Sequence, residues 1–370
     1  MTPTRKVLST PAPGTIVHPV HTYTEEQTRQ IEALREFTKT ISLPTTDPYY
    51  QWQKRWLDCP DTHPRYMRAA KWIYGDAQKR IQATMDWRRE YQPDLISPEE
   101  VRIEGETGKI ILNGFDRDGR PIIYMRPGRE NTQQSPRQLR HLVWWLERAK
   151  DFMPPGQETL VIVVDYKSVT LRTNPSISVA RKVLNILQQH YVETLGRAVV
   201  VNLPTLLSFF YKGIERFLDP VTRDKMRFNP NLVDLVPENQ LDADFGGSYE
   251  FEYEPNTYWD QVIEICGIAS DGTRTPVALP ATPEAEAAEG TPTTPETVSV
   301  HSRMDSSGSG SEDTDLDTPK TARSVVMGFD SPAGGEKELI RHLKDRDIVV
   351  SSGNVDEDEG GPGGVRILVG

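Results

Sequence analysis

His190-Tyr-Val-Glu-Thr-Leu-Gly-Arg-Ala-Val-Val-Val-Asn-Leu-Pro-Thr-Leu-Leu-Ser-Phe-Phe-Tyr-Lys-Gly-Ile-Glu-Arg-Phe-Leu-Asp-Pro-Val-Thr-Arg-Asp-Lys225 is the stretch whose reading decides the fold. Ala198–Asn202 opens with four apolar residues that do not alternate with polar ones, the pattern of a strand buried on both faces of a parallel sheet. After Pro204, Leu206, Leu207, Phe209, Phe210, Ile214, Phe217 and Leu218 cover more of a helix than one packing stripe requires. Such a helix needs apolar material on two sides, from protein core or from a bound apolar ligand. Asp219 then reads as an N-cap and Pro220 as the first helical residue. Thr222 and Lys225 share a face of that helix start, beside backbone N–H groups that favour an anion such as phosphate.

Working outward, residues 271–370 carry 19 acidic and 9 basic side chains, while residues 1–270 are nearly neutral with 35 acidic and 34 basic. The acidity of the chain, net −11 over 370 residues, therefore belongs to its tail. Residues 269–370 are rich in Pro, Thr, Ser, Glu and Gly with Phe329 as an aromatic exception, so we expect a disordered segment. Six Ser/Thr-Pro pairs, at Thr275, Thr282, Thr291, Thr294, Thr318 and Ser331, are phosphorylation candidates there. The near-neutral remainder argues against nucleic acid as the main partner. Cys59 and Cys266 form neither a disulfide framework nor a zinc motif, which fits a reducing compartment and no metal. No signal peptide opens the chain and no run reaches the ~18 apolar residues of a membrane span, so membrane contact is expected to be peripheral.

Residues 1–22 read as a flexible N-terminus, followed by a helical lobe over residues 23–95. Its helices are Thr24–Thr38, an aromatic segment Asp47–Asp58, Pro64–Ile73 and Asp76–Tyr91. From residue 96 to 268 the periodicity changes. Lys109–Leu112 and Pro121–Met125 flank the hairpin signal Asp118-Gly119, Pro136–Met153 is a helix, and Leu160–Val164 a buried strand. Asn174 is expected to cap a helix Pro175–Leu195 ended by Gly196, and Asn231–Val236 to form a last strand. Alternating strands and helices imply an α/β fold with a mainly parallel sheet. Enzyme signatures are missing: no glycine-rich turn follows Asp165, no GxSxG or HExxH occurs, and His141 and His190 are single imidazoles without an orienting partner. We expect no catalysis and no cofactor.

Arg65-Tyr66-Met67-Arg68-Ala69-Ala70-Lys71-Trp72, Trp87-Arg88-Arg89-Glu90, Asp118-Gly119-Arg120-Pro121, Tyr191-Val192-Glu193-Thr194-Leu195-Gly196, Phe217-Leu218-Asp219-Pro220-Val221-Thr222, Leu235-Val236-Pro237 and Phe245-Gly246-Gly247 follow one another in an order that resembles the CRAL-TRIO lipid-transfer family. The likeness spans roughly residues 60–250 and is greatest to fungal phosphatidylinositol transfer proteins. It implies a helical N-terminal lobe and a sheet floor under a hydrophobic pocket, closed by a helical gate at Leu206–Leu218. It also implies a phosphatidylinositol headgroup site at Glu193, Thr222 and Lys225, with Lys71 as a further basic position where Ala70 replaces its partner.

Phosphatidylcholine-exchanging relatives carry polar residues where this chain has Ile123, Met125, Leu160 and Ile162. A choline headgroup needs polar or aromatic partners, so phosphatidylcholine is not expected and a sterol-like second ligand is. The resemblance thus implies a cytoplasmic, peripherally membrane-associated monomer that exchanges phosphatidylinositol between membranes, at the endoplasmic reticulum, lipid droplets or plasma-membrane contacts. The alternative is a lipid-sensing module that presents phosphatidylinositol to a kinase or scaffold.

Overall fold

The computed structural model describes residues 3–170, 173, 176–204, 223–269 and 272–274. Helix α1 (Glu25–Thr40) begins where Thr24 and Gln27 form a reciprocal capping box, which satisfies two backbone donors that would otherwise be orphaned. It joins α2 (Tyr50–Asp58), α3 (Thr62–Ala69) and α4 (Tyr74–Tyr91) in a lobe. Ile31, Leu34, Trp56, Tyr66, Met67, Ile81 and Met85 form its apolar core. Helix α3 is shorter than the periodicity suggests. The chain leaves it through Lys71 and Trp72, both left-handed with φ of 51° and 63°, a turn that swings the axis into α4.

Beyond α5 (Pro98–Gly105) come β1 (Ile110–Phe115), β2 (Pro121–Met125), α6 (Pro136–Phe152), β3 (Leu160–Asp165), α7 (Ile177–His190), β4 (Leu195–Val201), β5 (Met226–Phe228) and α8 (Pro255–Cys266). The five strands lie in chain order; β1 and β2 pair antiparallel and the remaining neighbours parallel. Asp118-Gly119 does make the hairpin turn, with Gly119 at φ 76° and Asp116 N–H donating to the Arg120 carbonyl at 2.9 Å. A mainly parallel α/β architecture is what the alternating pattern predicts.

Trp144 and Trp145 of α6 and Trp259 of α8 are fully buried, with Trp144 stacked on Trp259 at 4.6 Å. Gly105 is needed beneath them, because a Cβ there would meet the Trp259 ring at 2.5 Å. Tyr258 closes a gap in the β1 ladder: Leu112 N–H donates to its hydroxyl at 2.7 Å, and the hydroxyl donates to the Leu112 carbonyl at 3.0 Å. Leu112 pairs with Ile123 on one side only, because β1 stands at the edge of the described sheet, and its outward N–H and C=O need a partner from outside the ladder.

Three expectations are corrected. Residues 3–18 do not stand free: Thr4 bridges Phe251, Arg5 forks onto Glu252, Val7 is 2% exposed, and Leu8 exchanges hydrogen bonds with Asn113 and Gly114. A polar segment is held there by backbone pairing that composition does not register. The helix expected to run from Pro175 to Leu195 is α7, Ile177–His190, capped by Ser176, whose hydroxyl accepts from Val179 N–H. Leu195 and Gly196 already belong to β4, since the apolar stripe continues unbroken from helix into strand. Asn231–Val236 is not a strand; Leu232–Asp234 is a turn of 3-10 helix, and the fifth strand is Met226–Phe228. That strand is three residues long with Arg227 at its centre, too short to register in hydropathy.

Candidate functional site

Glu193 sits on the turn from α7 into β4, with a left-handed φ of 56°. Its neighbours hold it there. The Tyr191 hydroxyl donates to Glu147 at 2.7 Å, Arg65 Nη1 donates to Thr194 Oγ1 at 2.8 Å, and the Thr194 carbonyl accepts from Leu160 N–H at 2.9 Å. Tyr191, Val192 and Thr194 are buried, so the strained backbone leaves the carboxylate of Glu193 partly open, with 31% of its side chain exposed.

Lys225 enters from the other side of β4. Its carbonyl accepts from Ala198 N–H at 3.0 Å, which docks the start of β5, and its Nζ lies 4.0 Å from Glu193 Oε2. Two of the headgroup positions, far apart in sequence, are thereby brought together. Lys71 is exposed on the left-handed turn after α3, and among the described residues no hydrogen bond or ion pair joins it to Glu193 or Lys225. Thr222 and the gate positions Leu206, Leu207, Phe209, Phe210, Ile214 and Phe217 lie outside the described residues.

The floor positions share one face of the sheet. Ile123 pairs with Ile162 and Met125 with Val164, and strand alternation puts Leu160 on the same side as Ile162. The face continues through Ala198 and Val200 to Met226 and Phe228. Burial falls along it: Ile123 is 0%, Leu160 1% and Ile162 7% exposed, whereas Phe228 at the far edge is 49% exposed.

Sequence reasoning missed a set of charges beside this site. Arg68 donates to both the Tyr23 hydroxyl and Glu158, and Tyr23 packs edge-on against Trp72 at 5.7 Å. His21, stacked near Tyr23, has its pKa lowered by partial burial and by Arg68, against the pull of Glu158 and Glu193. Deeper in, Arg88 forks between Asp94 at 2.9 Å and Glu147 at 3.0 Å. The spacing of Arg65, Arg68 and Arg88 on helices with few other inward cations was the signal available.

A family description and three relatives match this chain. The family description CRAL/TRIO domain matches residues 105–247, from the end of α5 through β5 to the glycine pair Gly246-Gly247. A CRAL-TRIO domain-containing protein of Schizosaccharomyces pombe is 50% identical over 202 residues, covering 55% of this chain and 20% of that protein. Phosphatidylinositol transfer protein PDR17 of Saccharomyces cerevisiae is 36% identical over 229 residues, covering 59% and 65%. Phosphatidylinositol transfer protein CSR1 of Eremothecium gossypii is 24% identical over 251 residues, covering 62% and 57%. The chain thus spans from a fifth to about two thirds of the length of these relatives. Residues 105–247 thus match the description CRAL/TRIO domain, and the chain is related in sequence to fungal proteins named for phosphatidylinositol transfer.

Proposed function

We propose that this chain extracts phosphatidylinositol from one membrane and releases it to another, without covalent chemistry. The observation that carries the reading is the approach of Lys225 to Glu193, which sets a cation and a carboxylate side by side. An ammonium suits the phosphodiester and a carboxylate accepts from inositol hydroxyls, both as charge-assisted hydrogen bonds. At 4.0 Å with both side chains partly exposed, the pair is loose enough to open around a headgroup. Thr222 supplies a hydroxyl and Lys71 a second cation in this reading.

Cargo choice rests on such contacts because chain burial cancels. Moving about 30 methylenes out of water is worth on the order of 25 kcal/mol, but a lipid leaving a bilayer already has that gain. Headgroup contacts of about 1–3 kcal/mol each then decide between lipids. The paired isoleucines Ile123 and Ile162 offer nothing to a choline headgroup, and a rigid apolar second ligand of the sterol class suits that face. No helix among the described residues is long and apolar enough to cross a membrane, and in this reading the chain touches bilayers peripherally, as a monomer, while lipid passes the gate.

The test is transfer of labelled phosphatidylinositol between vesicles by the full chain, with Lys225→Ala alongside. Many lipids moved per protein by the wild type and none by a folded Lys225→Ala variant is the expected result. Equal transfer by both would sink the headgroup assignment.

A further inference from the structure

Asp151, at the end of α6, offers one carboxylate to three arginines from three parts of the chain. Arg148 Nε of the same helix donates to Oδ2 at 2.8 Å, Arg274 Nη1, beyond the end of α8, donates to Oδ1 at 2.7 Å, and Arg55 of α2 stands 3.7 Å from that same Oδ1. Positive charge is in surplus here. The neighbouring carboxylates do not redress it, because Asp58 pairs with Lys54, and Asp94 and Glu147 pair with Arg88.

The three cations are satisfied unequally. Arg148 is 1% exposed and lies over the Trp144 ring at 5.2 Å, which leaves it fixed against Asp151. Arg274 Nη1 also reaches the Cys266 carbonyl at 3.3 Å, but its Nε is buried without a hydrogen-bond partner. Arg55 has the least: 3.7 Å is too long for a hydrogen bond, no other ion pair joins it among the described residues, and 45% of its side chain is exposed. Burial and the charge of Arg274 both lower its pKa. Two guanidinium groups thus crowd one carboxylate oxygen, with the outer one open to solvent.

The residue after Arg274 is Thr275, and Pro276 follows it. Thr275 lies outside the described residues, yet one peptide bond joins it to Arg274, and Cα atoms so joined are about 3.8 Å apart. Among the six Ser/Thr-Pro pairs of the tail, this pair alone adjoins a described residue. A phosphate on it carries about −1.5 to −2 of charge, the sign and size that this surplus lacks. Guanidinium groups take phosphate oxygens through paired N–H bonds.

We infer that Thr275 is a phosphorylation site for a proline-directed kinase and that Arg55 and Arg274 hold the phosphate. In the modification the Thr275 hydroxyl oxygen bonds to the γ-phosphorus of ATP, the bond from that phosphorus to the bridging oxygen breaks, ADP leaves, and the hydroxyl proton passes to the kinase's base. The captured phosphate ties the segment after α8 to α2 of the helical lobe. The site stands whether or not the chain transfers lipid.

The experiment treats the full chain with a proline-directed Ser/Thr kinase and ATP, maps the product by mass spectrometry, and follows each phosphate by phosphorus NMR from about pH 8 to 5. A Thr275→Ala chain assigns the resonance. Nearby cations favour the doubly charged form, so the Thr275 phosphate is expected to titrate at about 5.5 or lower, while phosphates on other pairs keep their ordinary value of about 6. Arg55→Gln leaves Arg148 and Arg274 on Asp151 and should return the Thr275 phosphate most of the way to the ordinary value. No phosphate on Thr275, an ordinary titration of that phosphate in the wild type, or an unchanged one in Arg55→Gln overturns the inference.

Discussion

Two clusters of opposite charge in this molecule look alike on paper and behave differently. In the first, Arg88 bridges Asp94 and Glu147, Tyr49 donates to Asp94 at 2.5 Å and Tyr191 to Glu147 at 2.7 Å; Arg88, Asp94 and Glu147 are 1%, 7% and 4% exposed. In the second, Glu193 and Lys225 stand 4.0 Å apart with about a quarter to a third of each side chain in solvent. Burial works against the charged form of Glu147, yet Arg88 overcomes it and holds the carboxyl far below its ordinary range. The first cluster has every carboxylate matched and rivets the helical lobe to α6. The second is loosely paired and half open, and in the function proposed above a lipid headgroup supplies the further partners.

The most severe way to break this contrast is Arg88→Ala. It strands two buried carboxylates and should cost about 3–5 kcal/mol, read as a lower urea midpoint, with lipid binding lost only because the fold is lost. A loss under 1 kcal/mol would mean that the cluster is not structural.

Acid tests the interior next. Burial, helped by Arg35, depresses the pKa of His63 to about 4, below its unfolded value of about 6.5. Its neutral form is the one the fold accepts, so its contribution is complete above about pH 6.5 and is lost as pH falls through 4. The loss is on the order of 3 kcal/mol. Unfolding midpoints measured from pH 7 to 4 should fall, and His63→Gln should flatten the slope.

Leu160→Ser with Ile162→Thr sharpens the comparison from the side of the floor. Each polar replacement of a buried aliphatic should cost about 1–3 kcal/mol, and the double variant is expected to take up phosphatidylcholine in a vesicle exchange assay. Unchanged cargo would detach these positions from the lipid.

Smallest in stability and largest in function is Lys225→Ala. Losing a half-open ion pair should shift the urea midpoint by less than about 1 kcal/mol, while phosphatidylinositol no longer co-purifies with the chain.

The sequence by itself determined the order and type of most elements. Short continuous apolar runs made β1 to β4, period-3.6 stripes made the helices, and the Thr24 capping box and the Asp118-Gly119 turn were readable because their chemistry is local. It also named Glu193 and Lys225, through an ordered set of motifs. Tertiary structure decided what depends on distant partners. Residues 3–18 are fastened by backbone pairing to Gly114, Glu250 and Glu252 and by the Asn113 side chain, partners that no local pattern announces. The edge strand Met226–Phe228 exists because β4 offers it hydrogen bonds, and Leu195 turned from helix end to strand start because Leu160 pairs with it. Only the fold could tell which carboxylates each buried arginine meets, Asp61 for Arg65 and Asp94 with Glu147 for Arg88, since the partners come from different helices and turns.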